Sequence, residues 1–167
     1  MKNRGVLELC RRLLDEAEST KDCETAFNKA DLAASLLREH NEKQPEIAAL
    51  NCCVKYLKNL HQYNKAIEYQ RRALELRRML NDAKLTFRCL VILGDLYLQM
   101  NRLDEAIETL EEAYKCNEFE MNYKLRCLNT LFVAYQRCGY TDRAKVIVEE
   151  FGQIVASHGS DVDKAVY

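Results

Sequence analysis

Four alanines recur at a nearly constant spacing along the chain, at positions 26, 66, 106 and 144. Apolar residues precede each of them in the same order, mostly large ones in the last three copies; before Ala106 these are Leu90, Leu93 and Tyr97. A small residue at a fixed place among large apolar ones is typical of a point where two helices approach closely. A period of about forty residues therefore predicts helical hairpins that each bury their apolar face against the next one.

The copies also agree at other distances from these four residues, which we call the anchor alanines. Sixteen residues before the anchor stand Cys10, Leu50, Leu90 and Leu128. Seven residues after it stand Ala33, Ala73 and Ala113, with Phe151 in the fourth copy. Gly94 lies at the predicted contact between two helices, where the other copies have Leu14, Val54 and Phe132. Any amphipathic helix has apolar residues three and four apart, but a register shared by four copies is not expected by chance.

This pattern resembles the tetratricopeptide repeat, over residues from about Val6 to Val155. The period exceeds the usual 34 residues, and in this respect the chain resembles the long repeats of kinesin light chains and spindle-orientation scaffolds. Leu128-Asn129 followed by Leu131 and Tyr135 is similar to the first-helix pattern of such proteins, and Leu50-Asn51 repeats it. The resemblance implies an all-α fold, a right-handed α-solenoid of about four helical hairpins. A plain helical bundle is the alternative.

The register and the turn signals predict one repeat domain over residues 1–156, followed by a polar C-terminal tail over 157–167. The repeats are expected near 5–40, 45–80, 83–117 and 119–156. The predicted helices are 5–18, 22–40, 45–59, 63–80, 83–100, 103–117, 119–137 and 141–156. Turns are expected at 60–62, 100–102 and 138–140, and Pro45 suits the first turn of the third helix.

Composition argues against several classes of protein. The net charge is −1, which gives no general attraction to nucleic acid or to an anionic membrane. The sequence has no apolar stretch of membrane-spanning length and no signal peptide, so we expect an intracellular protein of the cytosol or the nucleus. The eight cysteines contain no Cys-x-x-Cys pair, and Cys10 and Cys53 fall at core positions of the repeat. Reduced thiols that pack in the core are therefore expected.

No catalytic or metal-binding motif accompanies the repeats. His40, His61 and His158 lie near predicted helix ends or in the tail, and the five glycines form no phosphate-binding loop. The sequence therefore predicts a protein that is not an enzyme and that takes no cofactor or metal. The basic segment Gln70-Arg71-Arg72, continued by Arg77-Arg78, is interleaved with Glu68 and Glu75 and is interpreted as solvated helix surface, not as a nucleic-acid site.

The predicted function is the capture of an extended, acidic peptide segment of a partner protein in the concave groove. Asparagine can donate to and accept from a peptide backbone, while lysine and arginine favour carboxylates. The groove-facing positions of the first helices give Asn51, Lys55, Lys58, Arg88, Val91, Arg126, Asn129, Val133 and Gln136. Several of these partly resemble the polar clamp of tetratricopeptide domains, although Val54 and Asp95 do not fit it. Glu8, Asp15 and Glu18 should make the first repeat less favourable for an acidic ligand.

The last predicted helix supports an alternative function, that of a structural subunit. It carries more apolar residues than one packing face requires: Val146, Ile147, Val148, Phe151, Ile154 and Val155. A solenoid normally ends in a helix with a polar outer face. The alternative is therefore a subunit of a larger complex or a homo-oligomer that docks through its helical ends, or a chain with further repeats.

Overall fold

The computed structural model describes residues 3–116 and 121–157 of the chain. All regular elements in these ranges are α-helices, which confirms the all-α prediction. They are α1 (Arg4–Ser19), α2 (Cys23–Glu39), α3 (Lys43–Asn59), α4 (Tyr63–Met79), α5 (Ala83–Gln99), α6 (Leu103–Tyr114), α7 (Met121–Cys138) and α8 (Thr141–Ser157). Ser157, predicted to begin the tail, ends α8, and the rest of the predicted tail lies outside the described residues.

The helices belong to two compact units, Met1–Asp82 and Ala83–Tyr167. In unit 1, α1 to α4 pack in sequence and α1 also contacts α3. In unit 2, α5 packs on α6, α6 on α7 and α7 on α8, and α5 also contacts α7. Each unit therefore contains two of the predicted hairpins, with the first helices of those hairpins side by side.

Residues with a left-handed backbone conformation recur every twenty positions between α2 and α6. They are Asn41, His61, Asn81 and Asn101, each with φ between 53° and 56°. At each of these sites the next residue donates its N–H to a carbonyl of the last helical turn, as Gln62 does to Leu57 at 2.9 Å. This pattern is the Schellman motif, which satisfies carbonyls that the helix leaves unpaired. Helices of 17 residues joined by three-residue turns account for the forty-residue period.

We predict that His61→Val lowers the free energy of unfolding by about 1–2 kcal/mol, because a β-branched residue is strained at positive φ. His61→Asn should leave it nearly unchanged, since asparagine occupies the equivalent turns. His40→Val is the matched control, because His40 is also exposed at a helix C-terminus but has a φ of −92°. Urea unfolding measures all three, and equal effects of the two valine variants would contradict the assignment of strain.

The anchor alanines lie inside the helix pairs as the repeat predicts. Ala26, Ala66 and Ala106 have no exposed surface, and Ala144 is 5% exposed. In unit 1 the core continues through Ala17, Ala30 and Cys53. In unit 2, Leu110 of α6 lies directly against Gly94 of α5. The repeat register therefore sets the contacts between the helices.

Parts of the basic segment on α4 are not the solvated surface that the sequence indicated. Gln70 and Arg77 are buried, whereas Arg71 and Arg78 are exposed as expected. Arg72 is two-thirds buried and donates from Nε to the carboxylate of Glu46 on α3 at 3.0 Å. The solvated interpretation is therefore wrong for Gln70 and Arg77. It failed because the buried face of a helix depends on how it packs on its neighbour, which the spacing of its apolar residues does not fully show.

Candidate functional site

The candidate surface of unit 1 is the outward side of α3. Asn51 and Lys55 are exposed and Lys58 is half-buried, so the three predicted side chains share one face of a single helix. The Lys55 ammonium lies 5.5 Å from the centre of the Tyr56 ring, whose π electrons attract the positive charge of Lys55. The neighbouring helix α1 exposes the acidic residues Glu8, Asp15 and Glu18. Because α1 also exposes Arg11 and Arg12, which pair with Glu8, unit 1 presents the lysines of α3 beside a helix of mixed charge.

The candidate surface of unit 2 lies on α5 and α7, and its basic residues have partners within the unit. The Arg88 guanidinium lies 4.8 Å from the centre of the Tyr123 ring on α7. Arg126 on α7 forms a close ion pair with Asp95 on α5, and the Thr130 hydroxyl donates to the same carboxylate at 2.7 Å. Asp95 therefore forms with Arg126 the ion pair that a carboxylate of a ligand would otherwise form.

The remaining predicted residues of unit 2 differ in exposure. Asn129 and Gln136 are exposed on α7, and Val133 between them is half-buried. Val91 on α5 has no exposed surface, so it contributes to packing and offers no area to a ligand. The usable surface of this unit is therefore mainly the polar side of α7.

The hydrogen bond of Thr130 to Asp95 was not predicted from the sequence. Thr130 is 5% exposed, and its hydroxyl oxygen also lies 2.9 Å from the Arg126 carbonyl, which shares the single hydroxyl hydrogen with Asp95. Asp95 stood at a predicted groove position, but nothing in its local sequence distinguished a paired carboxylate from a free one. Only the packing of α5 beside α7 brings the three groups together.

The described residues offer little for chemistry. All eight cysteines are free, and burial raises the pKa of the Cys127 thiol to about 12 and raises the pKa of Cys53 as well. The Cys53 and Cys127 thiols therefore stay protonated at neutral pH and are poor nucleophiles. Among the described residues, no cluster of histidine, cysteine, aspartate and glutamate could hold a metal ion. In the same residues, no helix is both long and apolar enough to cross a membrane.

Comparison with known proteins agrees with this geometry. A family model described as a tetratricopeptide repeat matches residues 45–118. No curated protein matches the chain. The crystal structure of the apo form of RapI superposes with a TM-score of 0.82 at 17% identity, covering 91% of this chain and 44% of RapI. The chain thus spans less than half the length of that protein.

Two further solved structures share the fold. A putative kinesin light chain from Podosopora anserina with nearly identical tetratricopeptide-like repeats gives a TM-score of 0.69 at 18% identity, covering 94% of this chain and 76% of that one. A Rap protein complexed with Competence and Sporulation Factor gives 0.72 at 18% identity, covering 93% and 45% of the two chains. Residues 45–118 therefore match the tetratricopeptide-repeat family, and the chain shares the fold of the tetratricopeptide-like repeats in the putative kinesin light chain.

Proposed function

We propose that this chain is a non-enzymatic adaptor of the cytosol or nucleus that binds an extended, acidic peptide segment of a partner protein. The observation that carries the proposal is the pair Asn51 and Asn129, which stand fifteen residues before their anchor alanines and are both exposed. A carboxamide can donate to a peptide carbonyl and accept from a peptide N–H at once. Each unit therefore offers one such group at the same register, which suits a segment held by its backbone.

The preference for acidic segments rests mainly on unit 1. Lys55 is exposed on the same helix as Asn51, and Lys58 is half-buried next to them. In unit 2, Asp95 already pairs with Arg126, whose side chain is 40% exposed. A ligand carboxylate would have to compete with Asp95 there, so Arg126 contributes less to affinity than an unpaired arginine would.

The test compares capture of partner proteins from cell extract by the immobilised parent chain and by two variants, Lys55→Glu and Asn129→Ala. We expect Asn129→Ala to lower partner affinity about threefold to tenfold, because it removes one or two hydrogen bonds. Lys55→Glu should weaken binding more strongly in low salt than in high salt, since it repels a carboxylate. Titration of the recovered partner against each variant measures both effects.

The matched controls alter exposed side chains elsewhere on the same units. Lys65→Glu makes the same charge change on α4, and Gln153→Ala removes a carboxamide from α8. Both controls should bind like the parent, and all variants should melt at the same temperature. If Lys55→Glu and Asn129→Ala also bind like the parent, the peptide site is not on these helices.

A second function, that of a structural subunit, is favoured by one observation on α8. Val146, Val148 and Val155 are 60%, 54% and 36% exposed. Val148 and Val155 are seven residues apart and share one face of α8, which is suited to burial against another protein, whereas Val146 lies on the opposite side of the helix. Such docking through a helical end is compatible with peptide binding elsewhere on the chain.

A further inference from the structure

A groove of about 540 Å³ lies between α7 and α8 in unit 2. Phe132 and Gln136 of α7 form one wall, and Ala144, Val148 and Glu149 of α8 form the other. Its floor is apolar, and Glu149 and Lys145 also line it; the Lys145 ammonium lies 3.6 Å from the Asp142 carboxylate. The equivalent groove between α5 and α6 is covered by α7, which shows that the first helix of a following hairpin can fill such a groove.

The covered groove has an acidic residue at the same register. Glu111 stands five residues after anchor Ala106, and Glu149 stands five after anchor Ala144. Glu111 accepts the Tyr135 hydroxyl at 2.8 Å and the Arg143 guanidinium at 3.2 Å, both from the hairpin that follows it. Burial and this hydrogen bond raise the pKa of Tyr135 to about 12, so the hydroxyl keeps the proton that it donates.

Unit 1 contains a related contact, in which the donor lies on the second helix of the following hairpin instead of the first. Asp31 stands five residues after anchor Ala26 and accepts the Tyr69 hydroxyl from α4 at 2.7 Å. An acidic residue at this position thus binds a donor of the next hairpin in both units. Glu149, by contrast, is exposed and has no hydrogen bond or ion pair with any described residue.

The apolar residues of the two grooves also differ in how far they are exposed. Val148 corresponds to Leu110, since each stands four residues after its anchor alanine. Leu110 has no exposed surface, whereas Val148 is 54% exposed. The face of α8 therefore has both the apolar and the acidic component of a hairpin contact.

We propose that the α7–α8 groove is a docking site for a helical hairpin of a partner protein that carries a tyrosine or arginine donor for Glu149 above an apolar ridge. Charge complementarity selects this occupant over a second copy stacked head to tail. The positions that supply Tyr135 and Arg143 in the fourth repeat hold Ala17 and Thr25 in the first. Ala17 has no side-chain donor, and the Thr25 hydroxyl already donates to Asp22.

The experiment supplies a hairpin of known complementarity by extending the chain with its own sequence. In the extended chain, residues 1–153 are followed by residues 116–167, which keeps the 38-residue step between Ala106 and Ala144. The added hairpin then brings a second Tyr135 and Arg143 to Glu149. We expect one cooperative melting transition above that of the parent, because neighbouring repeats stabilise each other.

The decisive comparison is Glu149→Ala in both chains. It should lower the melting midpoint of the extended chain by about 2–4 °C and leave the parent within about 1 °C. Arg143→Ala in the added copy alone should have the same effect on the extended chain. Glu111→Ala is the positive control and should destabilise both chains, since its partners are present in both.

Three outcomes would overturn the proposal. The added hairpin could melt in a separate transition, or fail to fold, which would show that the groove does not accept it. Glu149→Ala could lower the melting midpoints of the parent and the extended chain equally. The parent could sediment as a dimer that Glu149→Ala dissociates, which would make a second copy the occupant.

Discussion

Replacing Gly94 with leucine is expected to lower the free energy of unfolding by about 1–3 kcal/mol, or more if α5 and α6 separate. A Cβ atom at this position would lie 2.6 Å from Cδ2 of Leu110 and closer still to its Cγ. Leu110 has no exposed surface, so it cannot turn away without disturbing other core contacts. Ala106→Leu should have a similar cost, because Ala106 is also fully buried.

Gly94→Ala separates the clash from the intrinsic preference of the helix. Alanine is favoured over glycine in a helix interior by about 1 kcal/mol, which opposes the cost of moving Leu110. We therefore expect Gly94→Ala to be less destabilising than Gly94→Leu. Adding Leu110→Ala should recover part of the loss in the leucine variant, since it removes the atoms in contact.

The matched control is Gly152, which also lies inside a helix but has no atom within 4 Å of the place that a Cβ would occupy. Gly152→Ala should raise the free energy of unfolding by about 0.5–1 kcal/mol. Gly152→Leu should cost nothing by overpacking. Urea unfolding of the four glycine variants measures the series, and a Gly94→Leu chain as stable as the parent would mean that the helix register is wrong.

The repeat register could be predicted because each anchor residue reports a local requirement. Ala26, Ala66 and Ala106 are small because another helix passes over them, and that requirement recurs in every hairpin. The helix ends were predicted to within a few residues because turn signals are also local. The turns predicted at 60–62, 100–102 and 138–140 contain His61, Asn101 and Gly139, all of which have a positive φ.

The contacts between polar groups could not be predicted in this way. Asp95 and Arg126 lie more than thirty residues apart in the chain, and their pairing depends on how α7 packs on α5. Val91 belongs to the same register as the exposed Asn129, fifteen residues before an anchor, yet is fully buried. A common register therefore fixes the direction of a side chain but not what covers it.

The buried, paired carboxylate of Glu46 is the clearest feature that could not be predicted from the sequence. Its side chain is 2% exposed and accepts from Arg38 Nε at 3.2 Å and from Arg72 Nε at 3.0 Å. It thereby links α2, α3 and α4 of unit 1. The hydrogen bond to Glu46 raises the pKa of Arg72, so the arginine is charged at neutral pH and this contribution to stability is lost as the pH rises through the raised arginine pKa.

We expect Arg72→Met to lower the free energy of unfolding by about 2–3 kcal/mol, because it leaves a buried carboxylate with one partner fewer. Breaking a fully buried pair costs about 3–5 kcal/mol, and the value is reduced here because Arg38 remains. Glu46→Met should cost less, about 1 kcal/mol, since the two arginines that it releases are 54% and 34% exposed and can be hydrated.

The double variant Arg72→Met/Glu46→Met should be more stable than Arg72→Met alone, because no buried charge is left without its partner. Arg11→Met is the control for loss of an arginine, since its ion pair with Glu8 is exposed and should contribute less than about 0.5 kcal/mol. Urea unfolding at neutral pH gives the four values. The burial of Glu46 makes the order of the two single variants the decisive result: if Glu46→Met costs more than Arg72→Met, the carboxylate stabilises unit 1 as a favourable ion pair and is not a buried charge that depends on Arg72.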